Sequence, residues 1–379
     1  MRPISPRKIL AIKLRAMGDT VLLAASLEEL RRNFPHTEIH AVVNAAWAPL
    51  LENHPAIDRL IPCEWKNEKT ARTRAVARLS LQLRKESYDV CLNFHASPSS
   101  SALAFGTGAK MRAIHRHGSQ QGSRFGTVPV PGQGSHKAVL DRDLDTLRAI
   151  GLHVAPGILP KLHLTATEKE LGRQALARIA PGAVGPMLGL GLGASRPSKS
   201  WPIDRYAVLA VDWAKSRGPE AGCIAFVSEA ETELKNHFLK KVSDELESRP
   251  ELSTDDRIAL RKRIGAAHQL SVRGLAQALS ACHAFVANDA GPRHIAAAVG
   301  TPTATFFGPE DPFDWHPYPE HRHIKMYIDK LACRPPQGEG RPPWCGVEVC
   351  VEQKHRCLTD IGVKTVLEKL TSLEGMRES

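Results

Sequence analysis

The sequence predicts an α/β protein of two doubly wound domains facing a cleft. Short apolar stretches alternate with amphipathic ones across residues 8–150, and the alternation restarts after the Pro/Gly linker at 181–186. No repeat period of about 20–50 residues runs through the chain, which excludes a solenoid. At 379 residues the chain is long enough for two cores. The expected domains are 1–180 and 181–379, with a terminal helix over 360–374 packing back on the first.

Each element has its own justification. Residues 8–14 turn from apolar/basic alternation into an apolar run and read as a strand, broken by Ala16-Met17-Gly18-Asp19. Residues 20–34 carry Val21, Leu22, Ala25, Leu27 and Leu30 at a helical period, and Pro35 stops them. On this reading Asp19 caps that helix from the carboxyl end of the first strand, the edge where open parallel sheets bind ligands. Strands follow at 38–43, 59–61 and 90–94, with a basic helix over 73–85. A loop and helix at 97–104 precede a strand at 111–115. Residues 116–136, rich in Gly, Ser and Gln, read as a mobile loop over a site. Helices at 137–150 and 165–179 lead to the linker. Beyond it, strands at 187–192, 223–227, 284–288 and 303–307 alternate with helices at 203–217, 272–280 and 292–299. Residues 229–269 read as one long charged helical region, in part an insertion.

Composition narrows the function. Apolar residues make up 42%, yet no apolar run approaches the ~20 residues of a membrane span, and no signal peptide is expected. Lys and Arg number 51 against 40 Asp and Glu, a net charge of +11 that suits anionic ligands. Aromatics are only 5% and few lie among the charges, so nucleic acid is not an expected partner. The basic stretch 66–85, with Lys66, Lys69, Arg72, Arg74, Arg78, Arg84 and Lys85, is either a solvated face or a contact for anionic lipid or a phosphorylated acceptor. Of eight cysteines, Cys63, Cys91, Cys223 and Cys282 sit in apolar runs as buried thiols do. Cys333, Cys345, Cys350 and Cys357 crowd the tail without the tight knuckles of a structural zinc site, so no metal is assigned. A reducing cytosol fits this usage.

Three segments carry chemistry. In Asn288-Asp289-Ala290-Gly291-Pro292-Arg293-His294 a strand ends and a helix opens with Pro at its first turn. Free backbone N–H groups there make an anion site, although the same residues also suit an ordinary strand-to-helix turn. In Gly193-Ala194-Ser195-Arg196-Pro197-Ser198-Lys199-Ser200-Trp201-Pro202, Lys199 offers a point charge to a phosphate and Ser195 and Ser198 neutral donors, unless this is only a solvated loop. Gly189-x-Gly191-x-x-Ala194 matches a dinucleotide fingerprint, with Glu229 or Glu231 as ribose acid. The polar residues 195–202 separate those glycines from the next helix, so no dinucleotide cofactor is expected. Asp19, close to Lys13 and Arg15, is a general base or simply a helix cap.

In this order the motifs resemble glycosyltransferase family 9, the heptosyltransferases of the lipopolysaccharide inner core. The likeness rests on KLRAMGDTVLLAASLEELRRNFP, YDVCLNFHASPSSSALAFGTGAK, GASRPSKSWP, NDAGPRHIAAAVGTPTATFFGPEDP and CGVEVCVEQKHRCLTDI. The tail and middle look most like heptosyltransferase III members. The resemblance implies a GT-B fold with acceptor in the first half and nucleotide sugar in the second. It implies an ADP-L-glycero-D-manno-heptose donor, a lipid-linked core acceptor, and an inverting, metal-independent transfer with no cofactor. Asp19 would be the general base. Ser195, Ser198, Lys199, Asp289, Gly291 and His294 would contact the diphosphate, and Glu231 the adenosine ribose. Lys13, Arg15 and His95 are set on the acceptor side. A cytoplasmic enzyme peripheral to the inner membrane is the expected setting. The chain departs from the family at Ala290, often Ser there, and at Arg293, often apolar. Another sugar nucleotide, or a binding protein without catalysis, are the rival readings.

Overall fold

A computed structural model describes residues 4–64, 68–95, 97–115, 124–130, 137–333, 344–350, 352 and 354–374. Contacts divide the chain into two compact units, Met1–His163 and Leu164–Ser379.

The first unit runs β1 (Lys8–Lys13), α1 (Met17–Asn33), β2 (Glu38–Asn44), β3 (Arg59–Cys63), α2 (Lys69–Arg84), β4 (Val90–Asn93), α3 (Pro98–Gly106), β5 (Met111–Ile114) and α4 (Val139–Ala149). Its strands are all parallel in the order β3-β2-β1-β4-β5. Helices cover both faces of such a sheet, so β1 is buried along nearly its whole length and reads as an apolar run. Leu10, Ile12, Val42, Cys91, Leu103 and Ile114 share one core cluster. The order reverses between β1 and β4, and the crevice beyond their carboxyl ends is where this topology binds ligands. Helix α1 begins at Met17, earlier than its apolar period suggests, because Ala16 is the extended residue that opens it. Asp19 is therefore inside the first turn and not ahead of the helix. The expected loop over 116–136 lies outside the described residues except for 124–130, where Val128 bridges to Ala113.

The second unit runs α5 (Ala166–Ile179), β6 (Met187–Gly191), α6 (Ile203–Ser216), β7 (Gly222–Phe226), α7 (Thr232–Glu247), α8 (Thr254–Arg263), β8 (Ile264–Ala267), α9 (Val272–Ser280), β9 (Ala284–Asn288), α10 (Gly291–Ala298), β10 (Thr303–Phe306), α11 (Pro312–Trp315), β11 (His323–Met326), α12 (Arg356–Thr359) and α13 (Val363–Glu374). The parallel sheet has the order β11-β10-β9-β6-β7-β8, so its switch point lies between β6 and β9.

Three expectations change. The contact boundary falls at His163/Leu164 and not at 180/181, because α5 packs on α9. A Cβ at Gly172 would meet the Gln277 carbonyl, and Glu168 accepts Arg273 Nε and Nη2 at 2.7 and 2.9 Å. Second, the terminal helix packs within its own unit: Val366, Leu370 and Leu373 of α13 join the core that holds Leu190, Trp213 and Phe306. Third, the charged region 229–269 is two helices and the strand β8. Ile264-Gly265-Ala266-Ala267 has little β-forming character, and Gly265 is small because the end of α5 at Ile179 crosses it closely.

Candidate active site

In the first unit, Lys13 ends β1, Asp19 lies in the first turn of α1, and His95 follows β4, so the topology brings all three to one switch point. The Asp19 carboxylate caps its own helix, its Oδ2 accepting the Ala16 N–H at 2.8 Å. Its Oδ1 lies 3.9 Å from Lys13 Nζ, and the side chain keeps 29% exposure. Lys13 itself is buried. It donates to the Phe94 carbonyl at 2.9 Å and to both oxygens of Asp143 at 3.0 and 2.8 Å. Burial works against its charge, but Asp143 and then Asp19 outweigh burial and its pKa is raised. Burial, with Lys13 adding to it, lowers His95 to about 4, so the ring is neutral at pH 7. Its backbone N–H is fixed by Asn93 Oδ1 at 3.0 Å, and its Nδ1 is buried without a hydrogen-bond partner among the described residues. Arg15 sits at the same edge, exposed. Sequence reasoning missed Asp143. The signal was available: Asp143 shares the helical stripe of Val139, Leu140 and Leu147, and a carboxylate on a buried stripe needs a partner.

In the second unit, one buried side chain ties the two switch-point loops together. Asn288, at the end of β9, donates to the Leu192 carbonyl at 2.8 Å, and its Oδ1 accepts the Trp201 N–H at 2.9 Å and the Tyr206 hydroxyl at 3.2 Å. Trp201 stacks on Phe306 with ring centroids 4.4 Å apart. Lys199 is thereby held on a short turn, where its Nζ meets Asp289 Oδ2 at 2.5 Å. Asp289 Oδ1 accepts Arg293 Nε at 2.9 Å. Burial would raise the Asp289 pKa, but Arg293 and Lys199 overcome burial and lower it. Arg293, one of the departures from the family pattern, is thus a buried counter-ion and not a surface charge.

Helix α10 opens at Gly291 behind Ala290, which provides no side-chain cap. Such an N-terminus favours an anion. His294, in its first turn, is buried with Nδ1 2.7 Å from the Tyr318 hydroxyl. Burial, then Arg293, holds its pKa far below the usual value, so it is a neutral ring. Ser195 is exposed at the loop tip, whereas Ser198 is buried and donates to the Val347 carbonyl at 2.8 Å. Glu231 Oε2 accepts the Ser228 N–H and hydroxyl, both at 2.8 Å, and its carboxylate lies so close to Gly193 that a Cβ there would collide with it. Lys199, Glu231, Asp289, Gly291 and His294 therefore stand at one sheet edge, with Ser195 beside them. Gly189 and Gly191 serve a different purpose from a dinucleotide turn. They lie within β6, and a Cβ on either would strike Phe285 of β9.

Among the described residues the tail thiols do not converge to ligand distance; Glu28, His54 and His163 do. However, His54 Nδ1 accepts the Ala56 N–H at 3.2 Å, which puts the proton of the neutral ring on the other nitrogen. A metal-bound imidazole does the reverse, donating from its free nitrogen.

Two parallel doubly wound units, one with a carboxylate and the other with a fixed cation and an uncapped helix start at its switch point, have the architecture of GT-B glycosyltransferases. The chain belongs to glycosyltransferase family 9 (heptosyltransferase), whose family model matches residues 76–339. It is 26% identical over 384 residues to lipopolysaccharide heptosyltransferase 2 of Escherichia coli K12, covering 97% of this chain and 98% of that protein. Lipopolysaccharide heptosyltransferase 1 of Pseudomonas aeruginosa is 26% identical over 314 residues, covering 80% and 79%. Heptosyltransferase 3 of E. coli K12 is 23% identical over 320 residues, covering 81% and 84%. The crystal structure of E. coli ADP-heptose lipopolysaccharide heptosyltransferase II superposes with a TM-score of 0.75 at 22% identity, over 98% of this chain and all of that one.

Proposed function

We propose that this glycosyltransferase moves a heptose from an ADP-activated donor to a sugar hydroxyl of the lipopolysaccharide core, inverting the anomeric carbon without a metal. The observation that carries the reading is the pairing of Lys199 with the uncapped start of α10 at the second switch point. As the bond from the anomeric carbon to the diphosphate breaks, negative charge gathers on the leaving phosphate. A fixed ammonium and an oriented helix start stabilise that charge most in the transition state. Asp19 takes the proton of the acceptor hydroxyl, whose oxygen forms the new bond on the face opposite the departing ADP, so one displacement inverts the centre. Glu231 suits the adenosine ribose as a hydrogen-bond acceptor, and His294 offers a neutral ring to the diphosphate.

Asp289 holds Lys199 and Arg293 and is not itself a direct phosphate ligand in this reading, since two anions repel. Lys13 likewise acts from behind Asp19, leaving Arg15 and His95 nearest the acceptor. Among the described residues no helix is long and apolar enough to cross a membrane. Helix α2 exposes Arg74, Arg78 and Leu81, and α3 exposes Phe105. Positive charge beside apolar side chains suits the anionic inner leaflet where a lipid-linked acceptor resides, and supports a peripheral, cytoplasmic enzyme.

The test is a donor screen for nucleoside diphosphate release with a truncated core acceptor, using ADP-heptose, other ADP-sugars and UDP-sugars. ADP-heptose should turn over fastest, and Asp19→Ala should abolish turnover while calorimetry still shows ADP binding. A preference for a UDP-sugar would overturn the donor, and an active Asp19→Ala would overturn the base.

A further inference from the structure

The proposed base has a buried neighbour to which the transfer step gives no part. Asp143 is fully buried, and both of its oxygens face the Lys13 ammonium at 3.0 and 2.8 Å. That ammonium also donates to the Phe94 carbonyl at 2.9 Å, while Asp19 Oδ1 is 3.9 Å away, beyond hydrogen-bond reach. One cation therefore stands between two carboxylates and leans to the buried one. Asp19 Oδ2 is engaged by the Ala16 N–H, so Oδ1 is the oxygen that receives a proton.

A carboxylate closely paired with an ammonium is a poor base, because the opposite charge lowers its proton affinity by roughly 1–3 pKa units. We propose that Asp143 is a positioning residue for sugar transfer: it draws the Lys13 ammonium onto itself and so keeps it out of hydrogen-bond contact with Asp19 Oδ1. The inference rests on the reading of Asp19 as the base.

The other charged or titratable groups around this pair come from every adjoining element. They are Arg15 ahead of α1, His95 after β4, His115 after β5 with Nδ1 3.5 Å from Asp143 Oδ1, and Arg142 on α4. Burial raises the Asp143 pKa, and Lys13, in contact with both of its oxygens, pulls it back. Asp143→Asn removes the charge that holds the ammonium and frees it to close on Asp19.

The experiment measures pH–rate profiles of full-length wild type, Asp143→Asn, Lys13→Gln and Asp19→Asn with ADP-heptose and a truncated core acceptor, with circular dichroism to verify folding. In Asp143→Asn, kcat should fall about 3- to 30-fold and the acid limb of kcat/KM should move down by about one pH unit, with KM for the donor unchanged. In Lys13→Gln the acid limb should move up instead. A purely structural Asp143 would lower stability or the amount of active enzyme and move neither limb. If Asp143→Asn does not fold, Asp143→Ser is measured in its place: a lowered limb supports the proposal and an unmoved one overturns it. Asp19→Asn separates the layers. An inactive Asp19→Asn beside an unmoved limb in both other variants overturns the positioning role alone, whereas an active Asp19→Asn overturns the base assignment and the proposal with it.

Discussion

Lys199 Nζ and Asp289 Oδ2 stand 2.5 Å apart, one from each of the two loops that leave the second sheet at its switch point. The ammonium is thereby fixed in place before any nucleotide arrives, so binding need not order a long flexible side chain. Asp289 also pairs with Arg293, so the site holds a three-charge network with a net charge of +1 and not a lone cation.

Removing either partner should have different effects. Lys199→Ala should weaken ADP binding by about 10- to 100-fold in calorimetry, the loss of one charge-assisted contact. Asp289→Asn should instead destabilise the protein by about 3 kcal/mol, since Lys199 and Arg293 lose a shared counter-ion, read as a shift in urea midpoint. An unchanged ADP affinity in Lys199→Ala contradicts the phosphate role.

Asn288 is the second target. Three of its hydrogen bonds pin the loops on either side of the switch point. Asn288→Ala should cost about 2–4 kcal/mol and also weaken ADP binding, because the turn carrying Lys199 loses its tether. Full ADP affinity in a destabilised variant would show that the turn is held by other means.

Gly172 reverses a familiar rule. Glycine to alanine inside a helix ordinarily stabilises by about 1 kcal/mol. Here the new methyl would enter the Gln277 carbonyl of α9, so Gly172→Ala should destabilise by roughly 1–3 kcal/mol. A raised melting temperature would mean that α5 and α9 separate easily.

Acid should weaken the fold in a defined window. Burial, followed by Arg293 for one ring and Arg322 for the other, lowers His316 to about 2 and His323 to about 3; burial, with His163, lowers His54 to about 4. The unfolded chain takes these protons below pH 6.5 and the folded one does not, so stability falls as pH drops from about 6.5 toward 4, by up to ~1.4 kcal/mol per pH unit for each ring. Glu168 acts in a lower window. Its hydrogen bonds with Arg273 depress it to about 2, and its contribution is present above about 4.5 and lost as pH falls toward 2. Urea midpoints at pH 7.5, 6.5, 5.5 and 4.5 measure the first window, and equal values at 7.5 and 5.5 would contradict it.

Much of this was legible in the residues. Strands buried on both faces of a parallel sheet announce themselves as apolar runs, and Gly-Asp and Asp-x-Gly-Pro breaks mark the strand ends where ligands bind. What was not legible depends on contacts distant in sequence. β8 is strand because β7 pairs with it and α5 leaves no room for a side chain at Gly265, not because Ile264-Gly265-Ala266-Ala267 favours extension. Ser198 looked like a phosphate donor from its neighbours, yet its hydroxyl holds the Val347 carbonyl, more than a hundred residues away. Asp143 and Asn288 were overlooked or given no role because their importance lies in the partners they join.

The placement of α13 has a bearing on biosynthesis. Leu358, Ile361, Val366, Leu370 and Leu373 fill the same interior as Leu188 and Leu190 of β6, the first strand of that sheet to be synthesised. A nascent chain emerging from the ribosome can therefore complete its first sheet early, while the later one must wait with an open apolar seam until α13 has been made.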